Sequence, residues 1–233
     1  MVTINLLDNE KIVDSSVEEY YNALRTNIQF LGNDVKVITI TSTNENEGKS
    51  TVAINLAISL AQLGLKTILV DADTRKSVMA GRFRFKEKIN GLTSYLSGVT
   101  PIEDVICETD VDNLNIIPAG QVPPNPTSLL QNNNFNIMID VFKDYYDYVI
   151  VDTPPIGAVV DAAIVSQRSD GFVVVVESGK VKKKVLEKSI NQLERGGSKF
   201  LGAVLNKVDK KQLGYGGYGN YGSYGDYTKK AKK

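Results

Sequence analysis

The chain has 233 residues, with 27 basic and 27 acidic side chains and a formal net charge of zero. That balance argues against a bulk electrostatic grip on nucleic acid or an anionic membrane. There is no histidine and one cysteine, Cys107, which removes Ser-His-Asp and Cys-His catalysis, His-ligated metals, an intrachain disulfide and a Cys-rich zinc site. A lone cysteine suits a reducing cytoplasm. No apolar run approaches the roughly 18 residues of a spanning helix. Met1–Glu10 carries two acids and no basic stretch, unlike a secretory signal.

In chain order, residues 14–31 (DSSVEEYYNALRTNIQFL) predict an amphipathic helix, with Asp14, Ser15 or Ser16 as its cap. It precedes the first strand, so it is expected on the outside of the sheet or against another subunit. Strands are predicted at Val35–Thr41, Thr67–Asp71, Asn115–Pro118, Tyr148–Asp152, Phe172–Val176 and Phe200–Asn206. Several are continuously apolar, as in VVVV at 173–176, the pattern of parallel strands covered on both faces. Helices are predicted at Lys49–Leu63, stopped by Gly64, and at Phe135–Phe142, Ala158–Gln167 and Val181–Glu194. Pro123–Thr127 reads as a rigid turn before a helix, with Thr127 or Ser128 as N-cap.

This alternation predicts an α/β, doubly wound, mainly parallel sheet flanked by helices, with ligands at the carboxyl ends of the strands. From Gly214 the chain reads GYGGYGNYGSYGDYTKKAKK, with Tyr215, Tyr218, Tyr221, Tyr224 and Tyr227 at a spacing of three. Such a stretch builds no core and is expected to be a mobile tail. The expected division is a helical extension over 1–34, a P-loop domain over 35–211 and a tail over 212–233.

The strongest motif is VITITSTNENEGKST at 37–51. A strand runs into a loop, then Gly48-Lys49-Ser50, then an apolar helix, which is the context of a phosphate-binding loop. The loop and first helical turn direct N–H groups at phosphate oxygens. Lys49 reaches the β- and γ-phosphates, and Ser50 offers its hydroxyl to Mg²⁺. Thr43 stands where such loops have their first glycine. Asp71 and Asp73 follow one strand and Asp152 follows another, on the same face as the loop. Acids there can hold Mg²⁺ or its waters, or take a proton; separately, each could equally cap a turn. Asn206-Lys207-Val208-Asp209 matches the N-K-x-D pattern of guanine recognition, but Asp152 is followed by Thr153-Pro154-Pro155 rather than D-x-x-G. Asn206 could equally hydrogen-bond adenine.

Together, TSTNENEGKST, ILVDADTR, VIVDTPP and the tyrosine-rich end resemble the bacterial tyrosine kinases, in particular the kinase subunit of Gram-positive capsular or exopolysaccharide biosynthesis. The resemblance runs from Glu19–Arg25 to the tail. It implies ATP and Mg²⁺ as cofactors and a Walker A loop over 41–51, so that Thr43, Asn44, Glu45, Asn46, Glu47, Gly48, Lys49, Ser50 and Thr51 face the nucleotide. It implies a Walker A′ motif at Asp71, Asp73 and Arg75, and a Walker B aspartate at Asp152. It further implies Tyr215, Tyr218, Tyr221, Tyr224 and Tyr227 as phosphoacceptors, and Glu19 and Arg25 as part of an oligomer contact whose usual middle arginine is Asn22 here.

On that footing Lys49 and the loop amides neutralise the phosphates, Ser50, Asp73 and Asp152 hold Mg²⁺, and Asp71 takes the tyrosine proton. The family loop commonly reads P-G-E-G-K. Here it is Glu45-Asn46-Glu47-Gly48-Lys49, where Asn46 can keep the turn because Asn tolerates positive φ. The implied partners are a membrane adaptor of the polysaccharide co-polymerase type, a cognate tyrosine phosphatase, polysaccharide enzymes and further copies of the chain. The implied location is cytoplasmic, at the inner face of the membrane. A positioning or partition ATPase and a non-catalytic nucleotide-dependent scaffold are the competing readings. The positioning class carries a signature lysine where this chain has Asn44.

Overall fold

The structure is a computed structural model, and it describes residues 3–6, 17–83 and 90–209. Eight strands form one sheet: β1 (Thr3–Ile4), β2 (Val37–Ser42), β3 (Thr67–Asp71), β4 (Cys107–Thr109), β5 (Leu114–Ile117), β6 (Tyr148–Asp152), β7 (Gly171–Glu177) and β8 (Phe200–Asn206). Their spatial order is β1-β4-β5-β3-β6-β2-β7-β8. All neighbours are parallel except β4 and β5. The expected mainly parallel sheet is therefore present. The short pair β1 and β4 was not legible, because strands of two and three residues carry no period.

The helices are α1 (Glu18–Gln29), α2 (Lys49–Gln62), α3 (Val78–Arg82), α4 (Leu92–Leu96), α5 (Pro126–Leu130), α6 (Asn133–Tyr145), α7 (Asp161–Ser166) and α8 (Lys183–Glu194). Each central strand is buried on both faces, and alternate residues feed two layers. Ile38, Ile40, Leu69, Ile150, Val173 and Val175 pack with α2. Val37, Ile68, Val70, Val149 and Val151 pack with α4 and α6. Phe172, Val174 and Val176 meet Leu193 of α8 and Ala162 of α7.

The central helix α2 buries Ile54, Leu56, Ile58 and Leu60 along with most of its other residues. Each such side chain contributes roughly 1.5–3 kcal/mol. It ends as expected: Gly64 takes φ +86 and its N–H bonds the Ala61 carbonyl at 2.8 Å. Helix α1 lies on α2 within the same chain, where Arg25 donates to the Ser59 carbonyl at 2.8 Å and Ser59 Oγ donates to Asn22 Oδ1 at 3.0 Å.

Three local expectations change. Helix α1 starts one residue after Val17, which is its N-cap and supplies no side-chain bond; Asp14, Ser15 and Ser16 lie outside the described residues. Helix α5 is capped at Asn125 with Pro126 in its first turn, so neither Thr127 nor Ser128 is the cap. Helix α7 starts at Asp161, not Ala158, because the chain first turns back on Pro155, whose carbonyl accepts from Ala158 and Val159. Among the described residues no helix is long and apolar enough to cross a membrane.

Candidate nucleotide site

The site is built where β2, β3 and β6 end. Because β2 lies between β6 and β7, its last residues enter the loop at the centre of the sheet edge. The loop then turns through two left-handed positions, Asn46 at φ +63 and Gly48 at φ +92. Asn46 therefore does keep the turn that the family loop makes elsewhere with other residues.

Glu47 holds this loop from inside. It is 3% exposed, and its carboxylate accepts from Thr43 N–H at 2.9 Å, Asn44 N–H at 3.0 Å and Asn44 Nδ2 at 3.1 Å. The following segment is stitched to the start of the loop. Ile156 N–H bonds the Ser42 carbonyl at 2.9 Å and Gly157 N–H bonds the Thr43 carbonyl at 3.2 Å. A Cβ on Gly157 would lie 2.2 Å from that Thr43 oxygen, so only glycine fits there.

Lys49 and Ser50 open α2 and are buried. The Lys49 ammonium stands 3.1 Å from Asp73 Oδ2, 3.7 Å from Asp152 Oδ2 and 3.2 Å from Ser50 Oγ. Burial pulls its pKa down, but Asp152 and Asp73 overrule that and hold it above the ordinary lysine value. Asp71 and Asp152 are paired across β3 and β6, and each is 1% exposed. Burial, reinforced by the Asp152 charge, pushes Asp71 up to about 7. Its carboxylate accepts from Asp73 N–H at 3.1 Å and from Ser77 Oγ. Burial raises Asp152 as well, against the pull of Lys49. Neither Asp152 oxygen has a hydrogen-bond partner among the described residues.

A cavity of about 360 Å³ opens over this floor, lined by Lys49, Ser50, Thr51, Asp73, Pro154 and Lys207 among others. Asp71 and Asp152 are buried next to it, Asp152 3.7 Å from the lining Lys49. At the rim Glu45 pairs with Lys76 at 3.3 Å, and Arg82 donates to Thr51 Oγ1 at 2.9 Å. Mg²⁺ takes oxygen ligands, commonly one or two carboxylates with waters and phosphate oxygens. The Ser50 hydroxyl, Asp73 and the orphaned Asp152 carboxylate fit that demand.

The structure thus brings together Thr43 through Thr51, Asp71, Asp73, Asp152 and Asn206. Asn206 reaches the loop from β8, its Nδ2 donating to the Glu47 carbonyl at 2.9 Å. Tyr215, Tyr218, Tyr221, Tyr224 and Tyr227 lie outside the described residues. Glu19 is exposed on α1, and Arg25 points into its own chain.

Sequence reading missed the partner of Arg75. Its guanidinium bonds Asp161 Oδ2 at 2.7 Å and Oδ1 at 3.2 Å, and Thr127 Oγ1 at 2.8 Å. Thr127 in turn donates to Asp161 Oδ1 at 2.9 Å. Nothing local ties positions 75, 127 and 161 together; only the topology does. Asp161 is fully buried, so removing its cation strands a charge. Arg75→Ala is expected to lower unfolding free energy by about 2 kcal/mol, below the roughly 3–5 kcal/mol of a fully buried pair because Arg75 is partly exposed. Urea denaturation reads this, and an unchanged midpoint contradicts it.

Gly48 makes a second local test. A Cβ there would lie 2.1 Å from Asn206 Nδ2, and a left-handed backbone costs a non-glycine residue about 1–2 kcal/mol. Gly48→Ala is expected to weaken ADP binding at least tenfold in calorimetry; wild-type affinity would contradict it.

The parallel sheet, the loop at the tip of its central strand and the carboxylates at the tips of the neighbouring strands define a P-loop nucleotide-binding α/β protein. Residues 35–199 match the family described as AAA domain. The chain is 54% identical over 216 residues to the tyrosine-protein kinase CpsD of Streptococcus agalactiae, covering 93% of this chain and 94% of that protein. It superposes on the kinase domain of Escherichia coli tyrosine kinase ETK with TM-score 0.83 at 33% identity, covering 94% of this chain and 86% of that one. On the chimerical protein CapA2B2 the TM-score is 0.81 at 34% identity, with 90% and 94% covered. The chain belongs to the bacterial tyrosine-protein kinase family.

Proposed function

We propose that this protein is an ATP-dependent protein-tyrosine kinase that phosphorylates its own C-terminal tyrosine cluster and regulates capsule or exopolysaccharide synthesis and export. The observation that carries this reading is the Lys49 ammonium held between Asp73 and Asp152 on the floor of the cavity. Phosphoryl transfer needs positioning and charge stabilisation more than covalent help, and this floor supplies both signs of charge at one point. The kinship with tyrosine-protein kinases along nearly the whole chain supports the same reading.

In this reading the loop from Thr43 to Thr51 cradles the phosphates and Lys49 neutralises the β- and γ-oxygens. Ser50, Asp73 and Asp152 hold Mg²⁺, which when bound draws charge from the phosphate oxygens. Asp71 takes the proton from the tyrosine hydroxyl. The tyrosine oxygen forms its bond to the γ-phosphorus, the bond to the bridging β,γ-oxygen breaks, and ADP leaves. A base poised at about 7 is matched to neutral pH. Asn44, in the place of the positioning ATPases' signature lysine, has its N–H and amide bound to Glu47 and so helps to hold the loop.

The acceptors are Tyr215, Tyr218, Tyr221, Tyr224 and Tyr227, which follow the end of β8 by 9 to 21 residues. Transfer to the acceptors of a neighbouring copy is the proposed route. Five phosphates add about −7.5 to −10 charges to a stretch that otherwise carries Lys229, Lys230, Lys232 and Lys233. That reversal is the proposed signal for a change in assembly. A membrane adaptor of the co-polymerase type, a cognate phosphatase and polysaccharide enzymes are the proposed partners. The proposed working place is the cytoplasmic face of the membrane, and residues 1–34, 35–211 and 212–233 are the proposed units.

The test is the intact mass of the purified chain after incubation with Mg·ATP, with and without an adaptor peptide. A ladder of up to five added phosphates on the tail is expected. No phosphate in either tube, with ATP binding intact, would favour a nucleotide-dependent scaffold.

A further inference from the structure

The Asn206-Lys207 pair resembles a base-reading motif in sequence, and in the structure its side chains reach the back of the phosphate loop. A phosphate loop turns its N–H groups toward the ligand, so its carbonyls must face away, and buried carbonyls need donors. The Glu47 carbonyl receives Asn206 Nδ2 at 2.9 Å. The adjacent Asn46 carbonyl receives Lys207 Nζ, whose ammonium also sits 3.0 Å from Glu177 Oε2. The missing side chain of Gly48 makes room for the Asn206 amide, since a Cβ there would lie 2.1 Å from Nδ2. Asn206 is itself fixed from β7, where Ser178 N–H donates to its carbonyl at 2.9 Å. The end of β8 is thus a brace behind the two loop peptides that precede Lys49.

We propose that Asn206 is a positioning residue of the phosphate loop: it orients the Glu47–Gly48 peptide so that the loop amides converge on phosphate, and it does not select the base. Lys207 does the same for the preceding peptide. The proposal rests on the nucleotide reading above and specifies how that site is kept open. One N–H of the Asn206 amide is bound to the Glu47 carbonyl and the amide packs where Gly48 has no side chain, which fixes it behind the loop. The two roles predict different ligand profiles. Loss of a brace weakens every ligand that uses the loop; loss of a base contact weakens only the matching nucleotide.

The experiment is calorimetric titration of the full chain with ADP, GDP and inorganic tripolyphosphate, for wild type, Asn206→Ala and Asn206→Leu. Thermal melting without ligand verifies the fold of each. The expected result is at least a tenfold loss for ADP and tripolyphosphate alike, with the ratio of ADP to GDP affinity unchanged. A loss confined to ADP, or a changed ADP to GDP ratio, would overturn the proposal in favour of base reading, and unchanged affinities would overturn it outright. If both Asn206 variants melt early, the milder Asn206→Ser decides: an even loss across the three ligands supports the brace, and no loss or a loss confined to ADP overturns it. Wild-type protein that binds none of the three would overturn the nucleotide reading itself.

Discussion

Lys49→Met is expected to abolish autophosphorylation, with the rate falling at least ~10³-fold, the upper range for losing one charge-stabilising donor in a dry site. The reason lies in what surrounds the ammonium. It is buried, 3.1 Å from Asp73 and 3.7 Å from Asp152, and it is the positive charge through which two strand tips meet. Methionine keeps the stem and removes the charge, leaving carboxylates whose only relief is protonation. The ligand-free variant should therefore also melt at lower temperature than wild type at pH 8, and the gap should narrow at pH 5. Intact mass spectrometry and thermal melting read the two parts. Phosphorylation within tenfold of wild type would remove Lys49 from the chemistry.

Asp71→Asn is expected to slow transfer by about 10²–10⁴-fold, the usual worth of a positioned base. The pH dependence carries the sharper signature. A base must be unprotonated, and in the free protein burial and the Asp152 charge hold Asp71 up to about 7. The wild-type kcat/KM should therefore fall about tenfold per pH unit below that value and level off above it. The asparagine variant should lose this limb. Stability moves the opposite way: a carboxyl whose folded pKa is raised favours the protonated native state, and that contribution is lost as pH rises from the unfolded value through about 7. Asp71→Asn should thus be less sensitive to pH between 4 and 8 in urea denaturation. A wild-type kcat/KM flat from pH 5 to 8 would remove Asp71 as the base.

The sheet and its loop were legible because their signals are local and strong. Thr67–Asp71, Tyr148–Asp152 and Phe200–Asn206 fall on the predicted bounds, since each is a short apolar run ended by a polar residue. Helix α2 likewise follows from its own pattern and from Gly64. The strand-tip carboxylates were legible as positions, because a parallel sheet sends all such tips to one edge. What was not legible is pairing across distance. Nothing near Arg75 announces Asp161, and nothing near Glu47 shows that its carboxylate turns inward to Thr43 and Asn44. The N-K-x-D string shows the same gap between spacing and partners. Its spacing suggests a ligand, while its partners, the Asn46 and Glu47 carbonyls, are set by where β8 ends. The cap expected at Thr127 fails similarly, because Asp161 and Arg75 draw that hydroxyl into a long-range network.

The position of β2 has a consequence for how the molecule comes into being. The strand that carries the phosphate loop is made early, yet its sheet neighbours are β6 and β7, and the donors behind the loop belong to Asn206 and Lys207. A ribosome adding about 5–20 residues per second needs roughly 10–30 s between the loop and its brace. Until β6 and β7 are made the loop has no flanking strand, and until residue 206 is made it has no brace. Nucleotide can therefore stabilise this protein fully only late in synthesis, and the early segments must persist without that help.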